Sequence, residues 1–311
     1  MSVRNLIVLF DGTWDMAATG IDDDQSNVER LYRLLPDSSR ANVHYEEGVG
    51  VKSEEEILGG MFGSGIDGRI FAAYRFLQRR YLETEYENRL FIFGFSRGAY
   101  TARTFAQLLD YCGVPTVEQG TRQAWDCYYR QDRAAAETLK TSGGFTPVQI
   151  EMLGVWDTVK STLDRDRADT TLYPSVKSAY HAMSIDEKRR NFPVLRFDDD
   201  PRITQVWFAG VHSDIGGGYA SAESGLADCT LAWMVEAARQ HGMEFVPNVS
   251  EYVAPDPLGT LHNSLQGAWV ALGESTRQIR ALDSIHSSVR ARIQGGRGYN
   301  PANLPANPRY V

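Results

Sequence analysis

Four short apolar runs recur along the chain, separated by longer segments of mixed polarity. They are NLIVLF at 5–10, RLFIFGF at 89–95, IEMLGVW at 150–156 and TQVWFAGV at 204–211. None alternates strictly between apolar and polar residues, and this is typical of strands covered on both faces in a parallel sheet. A fifth, more polar candidate strand is NVHYEEG at 42–48. The pattern predicts a buried sheet.

Helical periodicity fills the segments between these runs. Apolar positions at three- and four-residue spacing form one face of a predicted helix at Ile66, Ile70, Tyr74, Leu77 and Tyr81. Two further predicted helices end where Gly113 and Gly242 would terminate them as C-caps. Strands that alternate with helices predict an α/β fold with a mostly parallel sheet flanked by helices.

Two long segments between predicted strands carry mixed charge, partly helical patterns and several aromatic residues. They are 114–147 and 158–203, and we interpret them as helical insertions that cap one edge of the sheet and wall a pocket. The sequence contains no internal repeat, low-complexity tract or linker. We therefore expect residues 1–311 to form a single domain.

Composition narrows the classes of function. The 311 residues carry a formal net charge of −8, which argues against non-specific nucleic-acid binding and mildly against docking on anionic lipid. Three cysteines without a CxxC pair predict reduced thiols rather than disulfides or a zinc site. The first residues lack a signal-peptide core, and no apolar run is long enough to span a membrane. We expect a soluble, cytoplasmic protein, with signal-independent export left open.

The segment GFSRG, residues 94–98, places a serine in a turn between a predicted strand and a predicted helix. This is the context that a nucleophile elbow requires, because small residues let strand and helix meet closely. Ser96 would project from the carboxyl edge of the sheet. The amide of Arg97, at the helix N-terminus, could then stabilise an oxyanion. A simple packing turn is the alternative.

A serine nucleophile needs a base and a carboxylate that orients it, in the chain order Ser, Asp, His for this fold class. Asp157 directly follows one predicted strand, and His212 directly follows the next. Both also have structural interpretations, Asp157 as a helix N-cap or turn former and His212 as a histidine bonded to loop carbonyls. The rival histidines, His181 and His286, lie in apparent helices.

The loop after the first strand offers a second oxyanion donor. Asp11, Gly12 and Thr13 would emerge at the same sheet edge as Ser96, and the donor would be the amide of Gly12 or Thr13. An Asx-type turn is the equal alternative. Asp214, two residues after His212, is a candidate for orienting neighbouring groups rather than for the acid of the triad, because two residues so close along one chain rarely face each other across a hydrogen bond.

Two further sequence patterns partly match known ligand-binding motifs, one for dinucleotides and one for calcium. GSGIDG at 63–68 matches a dinucleotide fingerprint, but no strand precedes it, so we interpret it as a loop beside the pocket. The acidic clusters 22–24 and 198–200 lack the spacing of a calcium-binding EF-hand loop and are expected to be solvated. The sequence thus calls for no metal and no organic cofactor.

Several blocks of the chain together resemble one α/β-hydrolase family, known mainly as an uncharacterised domain, that includes phospholipase effectors of bacterial type VI secretion systems. The blocks are LFDGTWD, FIFGFSRGAYTAR, LGVWDTV, YHAMSIDEKRRNFPV, VWFAGVHSDIGGGY and IHSSVRARIQGGRGYNPANLP, which extend from about residue 5 to 306. The resemblance implies a lipolytic serine esterase in which Ser96 is the nucleophile and Asp157 and His212 are the acid and base. The resemblance also implies that secreted members carry additional membrane-contacting regions, and we expect no such module within these 311 residues.

The leading hypothesis is a serine hydrolase of carboxylic esters, in particular lipid esters, acting through an acyl-enzyme. A catalytically inactive binding module on the hydrolase scaffold is the alternative. A nucleotide-dependent oxidoreductase using 63–68 is a third, weaker hypothesis. The expected partner is a small-molecule or lipid ester. Transient membrane contact and an unidentified immunity or secretion partner remain open.

Overall fold

The computed structural model describes the backbone of residues 2–12, 25–48, 63–117, 120–160, 170–296 and 298–311. Its centre is an eight-stranded sheet in which every pairing is parallel, in the order β10-β9-β8-β7-β6-β3-β1-β2. The strands of this sheet are β1 Ser2–Phe10, β2 Val43–Glu46, β3 Tyr86–Phe95, β6 Ile150–Trp156, β7 Ala179–Ser184, β8 Ile203–Phe208, β9 Ser284–Ile285 and β10 Arg309–Tyr310. Two short strands, β4 Val114–Pro115 and β5 Phe145–Thr146, pair antiparallel outside it.

Ten helices accompany the strands in the described ranges. They are α1 Asn27–Arg33, α2 Gly63–Tyr81, α3 Arg97–Cys112, α4 Gly120–Tyr129, α5 Arg133–Thr141, α6 His212–Gly216, α7 Gly225–Gln240, α8 Val249–Tyr252, α9 Ala268–Ala271 and α10 Ser287–Gln294, with 3-10 turns at Asp37–Asn42 and Ser221–Glu223. No helix of the described residues is long and apolar enough to cross a bilayer. The mostly parallel, helix-flanked sheet is the predicted α/β-hydrolase-like architecture.

The sheet separates two apolar cores. Alternate residues of β1 face opposite ways, so that Phe10 joins a core with helices α2 and α3 while Leu9 joins a second core with helices α1 and α7. Both faces of each central strand are therefore buried. This explains why the strand sequences are continuously apolar rather than alternating.

Several predicted elements are confirmed. Strands occupy the four apolar runs and the candidate at 42–48, although β8 ends at Phe208. Helices α3 and α7 end next to Gly113 and Gly242, which have φ of 74° and 86°. Glycine is favoured there because a side chain clashes in the left-handed region.

Two predictions about secondary structure are wrong. His181 lies in strand β7 rather than in a helix, and this strand falls inside 158–203, the segment interpreted as an insertion. Residues 63–68 begin helix α2 rather than forming a loop. The sequence AYHAMS contains no β-branched residue, and pairing on both sides with β6 and β8 overrides its weak local preference for a strand.

The close approach of strand β1, strand β3 and helix α3 depends on two glycines. A Cβ atom at Gly98 would lie 2.2 Å from the carbonyl oxygen of Phe10, and one at Gly94 would lie 2.5 Å from the carbonyl oxygen of Gly98. These are backbone contacts that no rotamer change relieves. The turn around Ser96 is therefore fixed by packing.

We expect Gly98→Ala to lower the free energy of unfolding by about 3 kcal/mol, the upper part of the range for overpacking. The matched control is Gly68→Ala in helix α2, where an added Cβ meets nothing within 4 Å. That variant should gain roughly 0.5–1 kcal/mol from helix propensity. Urea denaturation of both variants checks this, and equal effects would contradict the proposed close packing.

Candidate active site

Ser96 occupies a strained turn between β3 and α3. Its φ is 58° and its ψ is −123°, a conformation that non-glycine residues rarely adopt. The backbone amide of Ser96 donates to the carbonyl of Trp156 at 3.0 Å, which ties the turn to the neighbouring strand β6. This geometry directs the serine side chain away from the helix backbone, where it makes no cap hydrogen bond.

Asp157 is the first residue after strand β6 and also has a positive φ, of 38°. Its backbone amide donates to the carbonyl of Ala182, and its Oδ1 accepts from the amide of Ser184 at 3.0 Å. The side chain is fully buried. Asp157 therefore acts neither as a surface turn former nor as a helix N-cap.

His212 begins helix α6, directly after the segment that follows strand β8. Its Nε2 lies 2.8 Å from Ser96 Oγ, and its Nδ1 lies 2.6 Å from Asp157 Oδ2. With Nδ1 protonated, His212 donates to the carboxylate and accepts from the serine hydroxyl. Three residues distant in sequence thus form one continuous hydrogen-bonded row.

Aromatic rings and a buried ion pair hold the imidazole in place. Phe95 and Phe192 lie with their ring centroids 4.7 and 5.1 Å from the ring of His212. The backbone amide of His212 donates to Glu187 Oε2, and Glu187 in turn pairs with Arg189 at 3.0 Å. Both charged partners are buried, so the loop that carries His212 is fixed from two sides.

The protonation states in this row follow from burial and charge. Burial lowers the pKa of His212, although the hydrogen bond and the charge of Asp157 oppose this effect. Burial would raise the pKa of Asp157, but the positive charge of Arg277 and the bonds from His212 and Arg277 outweigh it and hold that pKa well below its usual range. The aspartate is therefore ionised while the histidine is neutral, as a general base must be.

Arg277 is a residue of this site that the sequence analysis missed. Its guanidinium makes a two-pronged ion pair with Asp157, using Nη1 for Oδ1 and Nη2 for Oδ2, the latter at 2.8 Å. The residue lies 120 positions after Asp157, in an irregular segment with no motif around it. Because no local pattern marks it, only the tertiary structure reveals the contact.

The structure places the predicted oxyanion donors in different environments. The amide of Arg97 is the first of helix α3 and lies next to Ser96, at the helix N-terminus. The amide of Gly12 instead donates to Asp11 Oδ1 at 2.7 Å, so in this conformation it is committed to that carboxylate. Thr13 lies outside the described residues.

Asp11 organises the end of strand β1. It is buried, its Oδ2 accepts from the hydroxyls of Ser26 and Tyr45 at 2.6 and 2.7 Å, and burial raises its pKa to about 6. Its backbone carbonyl is one of the atoms that a Cβ at Gly98 would strike, so Asp11 lies against the serine turn. Asp11 therefore supports the edge of the site, and its carboxylate bonds Gly12, Ser26 and Tyr45 rather than Ser96, Asp157 or His212.

The remaining candidates lie outside the hydrogen-bonded row. Asp214 pairs with His262 at 2.6 Å rather than with His212. His286 precedes helix α10, where its Nδ1 caps the first turn and its ring stacks on Phe208. His181 is buried behind Asp157 and accepts from the amide of Thr158 through Nε2.

His181 makes folding stability sensitive to acid. Burial lowers its pKa from 6.5 to about 3, and the nearby charge of Arg103 contributes. Because the unfolded chain binds this proton near pH 6.5 and the folded protein does not, stability falls as the pH drops below 6.5 toward 3. At pH 5 this residue alone should cost about 2 kcal/mol.

We expect His181→Gln to remove this acid sensitivity, because the amide oxygen still accepts from Thr158 but binds no proton. Between pH 8 and pH 5, the unfolding free energy of the variant should therefore fall by about 2 kcal/mol less than that of the original protein. Urea denaturation at the two pH values measures it. Parallel changes in the two proteins would exclude a neutral, buried His181.

Two other sequence features have structural outcomes. In the acidic cluster 198–200, Asp198 accepts a hydrogen bond from the hydroxyl of Thr170, and Asp200 forms an ion pair with Arg202. The acidic cluster 22–24 lies outside the described residues. Among the described residues, no group of acidic, histidine or cysteine side chains is arranged to hold a metal ion. The three cysteines are free thiols, as predicted.

Comparison with known proteins identifies the family. Residues 4–237 match the family model described as the type VI secretion phospholipase effector Tle1-like catalytic domain, so the chain belongs to this family. The uncharacterised protein YEL023C of Saccharomyces cerevisiae is 29% identical over 240 residues, which are 66% of this chain and 34% of that protein. The match thus spans about a third of the length of that relative.

Two solved structures are also similar. An uncharacterised Pseudomonas aeruginosa protein superposes with a TM-score of 0.51 and 19% identity, covering 82% of this chain and 49% of that one. A Tle1 effector bound to the VgrG spike of the type 6 secretion system gives a TM-score of 0.40 and 19% identity, covering 72% and 53%. The first likeness supports the fold, and this chain spans about half of either protein.

Proposed function

We propose that this protein is a serine hydrolase that cleaves carboxylic esters, with lipid esters as its substrate class. The single observation that carries the proposal is the row Ser96–His212–Asp157, with contacts of 2.8 and 2.6 Å between its reacting groups. A serine hydroxyl is a weak nucleophile by itself and becomes reactive when a neighbouring base takes its proton. This row supplies that base and its orienting carboxylate.

In the proposed reaction, Ser96 Oγ attacks the ester carbonyl while His212 Nε2 accepts the hydroxyl proton. Asp157 keeps Nδ1 protonated and stabilises the imidazolium that forms. The imidazolium then gives its proton to the departing alcohol, and an acyl-serine remains. Water, deprotonated by the same histidine, attacks the acyl carbonyl and releases the acid and Ser96.

The negative charge on the tetrahedral intermediate needs hydrogen-bond donors close to Ser96. The amide of Arg97 is suited to this, because it stands at the N-terminus of helix α3, where the helix dipole also favours an anion. Thr13 stays a proposed second donor, because the amide of Gly12 is bonded to Asp11.

Family membership favours a lipid ester over other acyl compounds. The matched family consists of phospholipase effector catalytic domains, and all three residues of the row lie inside the matched region. The half-buried ring of Phe192, whose centroid lies 5.1 Å from that of the His212 ring, adds apolar surface beside the reacting atoms. An acyl chain is the part of a substrate that such a surface accommodates.

A substrate panel tests this proposal. We expect the purified protein to release p-nitrophenol from p-nitrophenyl butyrate and to release free fatty acid from vesicles of phosphatidylcholine and phosphatidylethanolamine. Activity on p-nitrophenyl butyrate without fatty acid release would restrict the proposal to soluble esters. The absence of hydrolysis in every assay would instead favour an inactive binding module on the hydrolase scaffold.

A further inference from the structure

We propose that Arg277 is a positioning residue that locks the Asp157 carboxylate in register with His212 and lowers the proton affinity of the Asp157–His212 pair. This inference rests on the proposed hydrolase function. No sequence motif marks Arg277, and it lies beyond residues 4–237, the region that the family model matches. The segment after that region would therefore supply part of the reaction machinery.

The geometry of the guanidinium defines the carboxylate plane. Nη1 and Nη2 of Arg277 each donate to a different oxygen of Asp157, as the planar fork of arginine allows. The same two nitrogens also donate to the carbonyls of Ser184 and Phe192, at 3.2 and 2.9 Å. Because the two groups hold each other in one plane, Oδ2 stays directed at His212.

Arg277 is itself held rigidly. Its side chain is buried, and its backbone carbonyl accepts from Asn303 Nδ2 at 3.1 Å. The same amide nitrogen donates to the carbonyl of Ile185, just past strand β7. Asn303 thus joins the segment carrying Arg277 to the sheet edge where Ser184 and Asp157 meet.

The charge of Arg277 acts on the histidine through a shared atom. Asp157 Oδ2 accepts from His212 Nδ1 at 2.6 Å and from Arg277 Nη2 at 2.8 Å. A permanent cation on this oxygen reduces the net negative charge that an imidazolium would experience. Protonation of the pair is therefore less favourable, and His212 stays available as a base at lower pH.

The other charged groups around the pair do not replace this effect. The charge of Arg189 lowers the pKa of His212 and that of Glu187 raises it, and the two groups form an ion pair with each other. Behind Asp157 are His181, which is neutral above pH 3, and Arg103, whose guanidinium donates to the carbonyl of Leu195. Arg277, in contrast, forms an ion pair with the Asp157 carboxylate itself.

The test compares Arg277→Met, which removes the charge at similar length, with Arg277→Lys, which keeps the charge but not the fork. For Arg277→Met we expect kcat to fall about 10- to 100-fold with KM little changed, because Arg277 touches the carboxylate and not the substrate. The acid-side midpoint of the kcat/KM profile should rise by about one pH unit. Arg277→Lys should lower kcat but keep the midpoint near its original value.

A second readout does not depend on activity. In protein labelled with ¹⁵N-histidine, the His212 resonances, assigned by their loss in His212→Gln, should titrate at higher pH in Arg277→Met than in Arg277→Lys. If Arg277→Met does not fold, Arg277→Gln provides the uncharged comparison. Arg292→Met is the matched control, because Arg292 is also buried but donates to the carbonyls of Pro257 and Gly259.

Failure of this inference is distinguishable from failure of the proposed function. An unchanged His212 titration in a folded, uncharged variant would overturn the inference even if wild-type activity depends on Ser96. A midpoint shift of the same size in Arg292→Met would overturn it too, because the effect would then be one of general destabilisation. Absence of ester hydrolysis in the unmodified protein would refute the function, while the titration would still decide the electrostatic claim.

Discussion

Replacing Ser96 with alanine is expected to reduce ester hydrolysis on the order of 10⁶-fold, to the level of residual catalysis by the remaining groups. The hydroxyl is the only atom of the row that bonds the acyl group in the proposed reaction, so no neighbouring side chain can substitute for it. The fold should be preserved, since the serine side chain contributes one hydrogen bond, to His212. Initial rates with p-nitrophenyl butyrate measure the effect.

Ser142→Ala is the matched control for this variant. Ser142 is an exposed serine that follows helix α5, and its hydroxyl bonds only nearby backbone atoms of Leu139 and Gly144. This variant should retain full activity. Retention of more than a few per cent of the activity by pure Ser96→Ala protein would refute Ser96 as the nucleophile.

Replacing Asp157 with asparagine is the second change with a large expected effect. Without the carboxylate, His212 loses the partner that keeps its proton on Nδ1, and kcat should fall about 10⁴-fold. The variant should also unfold more easily by about 3–5 kcal/mol, because Arg277 would be left as a buried charge without its counter-ion. Esterase kinetics and urea denaturation of the same preparation measure the two effects.

Asp214→Asn is the matched control for Asp157→Asn. Asp214 is likewise a buried carboxylate hydrogen-bonded to a histidine, but its partner is His262 and not His212. We expect its kcat to change less than about tenfold, because the Ser96–His212 contact does not involve it. If Asp214→Asn were as inactive as Asp157→Asn, the assignment of the acid to Asp157 would be wrong.

Much of the sheet was predictable because burial leaves a direct trace in sequence. The second halves of strands β1 and β3, residues 6–10 and 90–95, are buried on both faces, and apart from Gly94 every position there has an apolar side chain. Strand β7 lacks such an apolar run, since AYHAMS mixes alanine with polar residues. His181 lies buried in this strand because its ring nitrogens are hydrogen-bonded to Thr158 and Gln205. Strand β7 forms because it pairs with β6 and β8, so the local sequence alone does not predict it.

The site divides in the same way. Ser96, Asp157 and His212 each follow a strand, and parallel strands end at a common edge, so their convergence could be predicted from position alone. The role of Gly12 could not, because its amide is directed at Asp11 by a local side-chain contact. Arg277 had no positional signal, since it lies in an irregular segment outside the strand order.

Covalent labelling tests whether Ser96 is an activated nucleophile. The protein is incubated with a fluorophosphonate probe, digested, and analysed by tandem mass spectrometry to locate the phosphonyl group. We expect stoichiometric modification of Ser96, and we expect it to be lost in His212→Gln although that variant remains folded. An unmodified Ser96 in protein that hydrolyses esters, or undiminished labelling without His212, would show that Ser96 is not a nucleophile activated by His212.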